Sequence, residues 1–168
     1  MNAPRPLLPL DEALQRLATA AAAHRITETE TVSTFDARGR VLAAAVRATI
    51  AVPGADNSAM DGYALRAADV PAAGTVLPVS QRIAAGHVGQ PLQPGTAARI
   101  FTGALVPAGA DAVVIQEQCE PLDGGAAVRV NTVPAVGLAI RRRGEDVAEG
   151  AEVLAAGTRL SPQALGLA

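Results

Sequence analysis

The sequence predicts an α+β fold that is mainly β, and three observations carry that prediction. A single apolar face repeats at spacings of three and four from Leu10 to Ala23, the period of a helix. After Pro53 the pattern changes to short apolar runs between glycine and proline: Gly62–Arg66, Val76–Val79, Ala97–Phe101, Ala112–Gln116 and Ala126–Val130. Short strands at this spacing make a compact β unit. The 16 Gly and 12 Pro residues fit tight turns between those strands, because the apolar runs persist throughout.

The helix face is Leu10, Ala13, Leu14, Leu17, Ala18 and Ala21. Pro9 suits the start of a helix, and Asp11 and Glu12 complement its positive end. Thr29–Phe35 alternates polar and β-branched residues and is expected as a strand. Ala37–Ala43 is expected as a short helix broken by Gly39, and Val46–Ile50 as extended chain. Asp123-Gly124-Gly125 signals a hairpin, since glycine accepts the positive φ such turns need. Gly150–Leu160 reads as a turn-and-strand pair. Ser161-Pro162 opens a helix with a serine cap and proline in its first turn. That helix has no room before Ala168, so the sequence is expected to be a fragment of a longer chain.

Composition excludes several classes. Of 168 residues, 49% are hydrophobic but only 2% aromatic: Phe35, Tyr63 and Phe101. Packing falls to Val, Leu, Ile and Ala, where a fully buried Val or Leu contributes about 1.5–3 kcal/mol. Tyr63 and Phe101 are expected as buried anchors. The net charge is −2 with mixed signs, and no basic stripe speaks for nucleic acid. No apolar run approaches the roughly 20 residues of a membrane span. Met1–Pro6 lacks the apolar stretch of a signal peptide. The lone Cys119 rules out an internal disulfide. The cytoplasm is the expected compartment.

Three polar clusters lie beside glycines. Asp56-Asn57-Ser58-Ala59-Met60-Asp61-Gly62-Tyr63 gathers two carboxylates, an amide and a hydroxyl. It is either a self-capping turn or a loop built for a task, and Met60 and Tyr63 are costly residues for a mere solvent loop. Arg99-Ile100-Phe101-Thr102-Gly103-Ala104 runs a strand into a glycine turn. Such a turn is ordinary, or its amides cradle an anion. Arg141-Arg142-Arg143-Gly144-Glu145-Asp146 is either a self-neutralising charge run or an oxyanion clamp beside a cation-holding carboxylate. His24 and His87 have no zinc spacing. No Ser–His–Asp order is convincing, and Gly103–Gly109 lacks a P-loop ending.

In order and spacing the three clusters resemble the molybdopterin molybdenumtransferase family, which includes bacterial MoeA and the C-terminal domain of gephyrin. The matching segments are Asp56–Leu65, Ile83-Ala84-Ala85-Gly86, Arg99–Pro107 with Gly109–Val114, Gln116-Glu117 and Ile140–Val147. The resemblance runs from the first helix to Ser161-Pro162. It implies a bifurcated, elongated β region, residues 1–47 and 147–168, with a small β-rich domain, residues 48–146, inserted in it. It also implies a downstream molybdopterin-binding α/β domain and a C-terminal β domain, both absent here. The implied reaction joins molybdate to adenylylated molybdopterin and releases AMP with Mg²⁺. The fragment alone would be inactive.

By position, Asp61, Thr102 and Asp146 match catalytic positions of the family. Asp61 and Asp146 are the implied metal ligands, and Arg141, Ser58 and Gly103 the implied substrate contacts. The implied assembly is a homodimer whose cleft is shared between subunits, with the molybdopterin adenylyltransferase as a further partner. Mg²⁺ suits such a cleft, because it takes one or two carboxylates plus phosphate oxygens and water. Two departures stand out: Ala55 where relatives often carry phenylalanine, and Ala139 where they often carry asparagine. The competing readings are a dimerising scaffold module like that of gephyrin and an autonomous nucleotide-binding domain. The intact Asp61, Thr102 and Asp146 favour the enzyme over the scaffold. The missing nucleotide fingerprint speaks against the third reading.

Overall fold

The computed structural model describes residues 7–168. The first helix, α1, spans Leu10–Ala23, with Asp11 and Glu12 in its first turn. No side chain caps it; the Pro9 carbonyl accepts from the Ala13 amide and starts the ladder. The helix forms where its periodicity predicts, yet none of its residues is buried.

Two predicted elements do not form. Thr29–Phe35 is not a strand, because no neighbouring segment pairs with its backbone. It ends in a 3₁₀ turn over Thr34–Asp36, capped by the Ser33 hydroxyl, and Phe35 is 96% exposed. Ala37–Ala43 is not a helix, because Gly39 takes φ +80° and Val41 bridges Arg159.

The extended segment after Ala45 becomes half of a ribbon. Strand β1, Val46–Arg47, pairs antiparallel with β10, Glu152–Leu154. The bridges Val41–Arg159 and Val52–Val147 prolong the pairing in both directions. Strand β2, Asn57–Ser58, then pairs with β9, Ile140–Arg141, in nearly the same register. A narrow antiparallel ribbon thus joins residues 41–58 to residues 140–159.

At the end of this ribbon sits a curled six-stranded sheet: β3 Gly62–Leu65, β4 Thr75–Ile83, β5 Ala97–Ile100, β6 Ala112–Ile115, β7 Cys119–Leu122 and β8 Ala127–Val130. Their spatial order is β6-β3-β5-β4-β8-β7, and only β4–β5 is parallel. Strand β4 changes partner along its length: Thr75–Pro78 pairs with β8 and Val79–Ile83 with β5. Both faces are apolar. Tyr63, Leu65, Val114, Val128 and Val130 meet on one, and Ala64, Ile83, Ile100, Val113 and Ile140 on the other. Burial on both faces explains why the central strands read as unbroken apolar runs.

The predicted hairpin joins β7 and β8, with Asp123, Gly124 and Gly125 all at positive φ. Strand β7 escapes prediction because Glu120-Pro121 interrupts it. It is an edge strand, where proline is tolerated. Tyr63 is buried as expected, but Phe101 is only half-buried. Ser161 caps the last helix, α2 Pro162–Leu165, by accepting the Ala164 amide.

Candidate active site

The site is organised around β2. On one flank lies β9. On the other, the Ser58 amide donates to the Ala104 carbonyl at 2.9 Å, and the Gly103 amide donates to the Ser58 carbonyl at 2.8 Å. Asn57 also bridges Leu105. The Thr102-Gly103 turn and the Arg141 strand are therefore held on opposite sides of the same two residues. Gly103 adopts φ +79°, a conformation that a side chain would resist.

Ser58 is the buried polar residue of this seam, 1% exposed. Its hydroxyl donates to the Met60 carbonyl at 2.5 Å and lies 3.3 Å from the Met60 amide. Its hydroxyl is thus spent on bending the chain toward Asp61.

Asp61 and Thr102, 41 positions apart, meet directly. One carboxylate oxygen, Oδ1, accepts both the Thr102 amide at 2.8 Å and the Thr102 hydroxyl at 2.7 Å. These donors, the amide first, hold the Asp61 carboxyl below its ordinary 3.8. Among the described residues no protein group donates to Oδ2. That oxygen remains free for water, a cation or a donor on a ligand. The Gln116 amide pins the Asp61 carbonyl at 3.0 Å. The Arg99 guanidinium spans the neighbouring Gly62 carbonyl at 2.9 Å and Gln116 Oε1 at 2.7 Å.

The arginine run is self-neutralised. Arg141 contacts both Asp146 oxygens, at 2.6 and 2.5 Å. Arg142 pairs with Asp56 at 2.7 Å, and Arg143 with Glu149 at 2.5 Å. These pairs are half-exposed, and such pairs contribute little stability, about 0–1 kcal/mol each. Asp146 raises the Arg141 pKa by hydrogen bonding and by charge. The amides of Gly144 and Asp146 donate to Pro53 and Val52, each at 2.9 Å. They tie this turn to the loop that precedes the first cluster.

The structure thus brings Asp61 to Thr102, and Arg141 to Asp146, on the two flanks of β2. Residue typing missed Asp56 as a structural ligand. The Arg143 amide and then the Arg142 side chain lower its pKa. Its place at the head of the first cluster was the available signal. Among the described residues no group of three or more His, Cys, Asp or Glu side chains gathers to hold a metal. His24 and His87 are exposed. Cys119 is half-buried in β7, where burial pushes its thiol up to about 11, so it is not a poised nucleophile.

A ribbon carrying a six-stranded sheet, with an Asp–Thr pair and an Arg–Asp pair at their junction, defines a β-rich module with a polar seam. The chain belongs to the family described as the MoeA N-terminal region (domain I and II), whose model matches residues 8–168. It is 47% identical over 146 residues to molybdopterin molybdenumtransferase 2 of Mycobacterium tuberculosis, covering 82% of this chain and 35% of that protein. It is 43% identical over 141 residues to the molybdopterin molybdenumtransferase of Nostoc sp., covering 80% and 31%. A crystal structure of the molybdopterin biosynthesis MoeA protein from Pyrococcus horikoshii matches with TM-score 0.76 and 36% identity, covering 85% of this chain and 38% of that one. The chain spans about a third of the length of the curated relatives it matches. No helix among the described residues is long and apolar enough to cross a membrane.

Proposed function

We propose that this region supplies one wall of the cleft of a molybdopterin molybdenumtransferase, which joins molybdate to adenylylated molybdopterin and releases AMP. The observation that carries the reading is the Asp61–Thr102 pair. A carboxylate is fixed through one oxygen and left open at the other, on a seam that also carries Arg141 and Asp146. A scaffold needs no such group.

Each residue then has a role. Thr102 orients Asp61 and keeps it ionised. Arg141 meets the anionic substrate, and Gly103 permits the turn that presents Thr102. Ser58 shapes the loop. The donor set suits Mg²⁺ only together with a substrate, because the protein offers Asp61 Oδ2 freely and Asp146 once Arg141 turns to the phosphates. Bound there, Mg²⁺ would supply charge to polarise the phosphoanhydride.

The remaining wall of the cleft would come from a second subunit, in a cytoplasmic homodimer. The exposed apolar face of α1 supports assembly, with Leu10 at 72% and Leu17 at 67% exposure. A docked molybdopterin adenylyltransferase would deliver the substrate.

The test is turnover in a full-length chain bearing this region. Asp146→Asn keeps the shape and removes one charge. We expect folding to be spared and turnover at limiting Mg²⁺ to fall more than about tenfold, or about 1.4 kcal/mol of barrier. Unchanged turnover would sink the shared-cation role. The 168-residue chain alone is expected to be inactive.

A further inference from the structure

A second polar feature lies on the face of the sheet that carries Tyr63. Arg82 of β4 and Arg99 of β5 are direct partners in the parallel pair, so both side chains leave the same face. Like charges set opposite each other destabilise a sheet. Here no carboxylate pairs with them directly, although the Arg99 charge helps hold Asp61 ionised. Among the described residues, neither arginine belongs to an ion pair, whereas Arg66, Arg129, Arg141, Arg142 and Arg143 all do.

Their partners are two aromatic rings and neutral oxygens. The Arg82 guanidinium lies 4.7 Å from the centre of the Phe101 ring, and that of Arg99 lies 4.6 Å from it and 5.2 Å from the Tyr63 ring. Arg99 spends N–H groups on Gly62 and Gln116, while the Arg82 side chain makes no hydrogen bond among the described residues. Stacking orients a guanidinium by its face and leaves its N–H edge for a planar or tetrahedral oxyanion. The two arginines and both rings line an open cleft of about 470 Å³, with the β7–β8 turn at its side. This also explains why Phe101, scarce as rings are here, is not spent on the core.

We propose that this cleft is a binding site for a phosphate or pyrophosphate group, gripped between Arg82 and Arg99, with Phe101 stacking both guanidiniums. Through Arg99 the cleft adjoins the Asp61 seam, but binding there does not rest on the transferase reading. Its occupant is a free diphosphate or the phosphate of a nucleotide.

The test uses inorganic pyrophosphate and AMP as probes on the 168-residue chain. Affinity is read by calorimetry and position by the aromatic NMR signals. The chain has three rings, and Phe35, in the flank outside the sheet, serves as the control. Pyrophosphate is expected to shift Phe101 and Tyr63 and to leave Phe35 in place. Arg82→Gln should weaken it at least about tenfold, Arg82→Lys should recover part of that loss, and Arg25→Gln, on the exposed segment just after α1, should change nothing. An unchanged Tyr63 signal in free Arg82→Gln certifies that the variant is folded. Displacement of pyrophosphate by AMP assigns the site to a nucleotide, and indifference to AMP assigns it to a diphosphate; either outcome upholds it. Binding that spares both rings, equal losses in Arg82→Gln and Arg25→Gln, or no binding at all overturns it. None of these readouts depends on molybdenum transfer, so the two readings fail separately.

Discussion

Residues 62–140 contribute two buried clusters, running through every strand of the curled sheet except the edge strand β7, whose half-buried Cys119 packs against one of them. The flanking segments contribute one small cluster, whose buried members are Ala37, Leu160 and Ala164, and an α-helix that buries nothing. Both regions are rich in Ala, Val and Leu. Hydrophobic content therefore does not decide burial. What differs is pairing. The sheet stacks its side chains on two faces of a multi-stranded surface, while the ribbon is two strands wide and has little to cover. Isolated two-stranded ribbons are marginal in water. The flank's order therefore leans on the sheet at one end, and α1 offers its face to some other surface.

Truncating one residue in each region should separate the two most clearly. Ile100, fully buried, should cost about 4 kcal/mol as Ile100→Ala, read by urea unfolding. Leu17→Ala, on the exposed helix face, should stay within about 0.5 kcal/mol. Equal costs would mean that α1 is packed after all, on another copy of the chain.

Gly62→Ala should rank second, at about 3 kcal/mol. A Cβ there would lie 2.0 Å from the Val114 carbonyl oxygen, backbone that cannot swing away. The glycine of the Asp-Gly-Tyr motif is thus explained by the close approach of β3 to β6. A loss below 1 kcal/mol in the same assay would refute that account.

Ala139 lies at the seam between the two regions, at φ +48°. An alanine pays for this left-handed conformation, which glycine adopts freely. Ala139→Gly should therefore stabilise the chain by about 1 kcal/mol, and a lower midpoint in urea would contradict the strain.

The smallest effect is a titration. Asp61 is held below 3.8 by the Thr102 amide first and the hydroxyl second. Because its native pKa is depressed, its stabilising contribution is complete above 3.8 and is lost as pH falls through the native value. Thr102→Val removes the hydroxyl and keeps the amide, so NMR should find the Asp61 midpoint raised but still below 3.8. No movement would mean that the hydroxyl does not reach the carboxylate in solution.

The central strands β3, β5 and β6 were legible because they are buried on both faces and bounded by turn residues. Strand β7 was not, since a proline at a sheet edge looks like a break in the pattern. Strands β2 and β9 are two residues long, and pairing alone defines them. The alternation over Thr29–Phe35 suggests a strand but says nothing about whether a partner strand exists, and the helix expected over Ala37–Ala43 yields to Gly39 at positive φ. The chemistry of Asp61, Thr102 and Asp146 was visible as residue types in clusters. Their actual partners were not. The arginine run had two readings until its carboxylates were located, and one of these, Asp56, lies 86 positions from Arg142.

Short-range patterning fixes where α1 forms, where the five strands other than the edge strand β7 run in the curled sheet, where glycine turns the chain, and which polar residue types cluster. These follow from backbone preference and side-chain period, which act over a few residues. Only the tertiary structure decided that Thr102 clips Asp61, that Arg141 neutralises Asp146, that Phe101 stacks two arginines, and that the face of α1 stays bare. Those outcomes depend on contacts between segments tens of residues apart. Closing such loops costs entropy that no local pattern can reveal, and only the packing of the whole chain repays it.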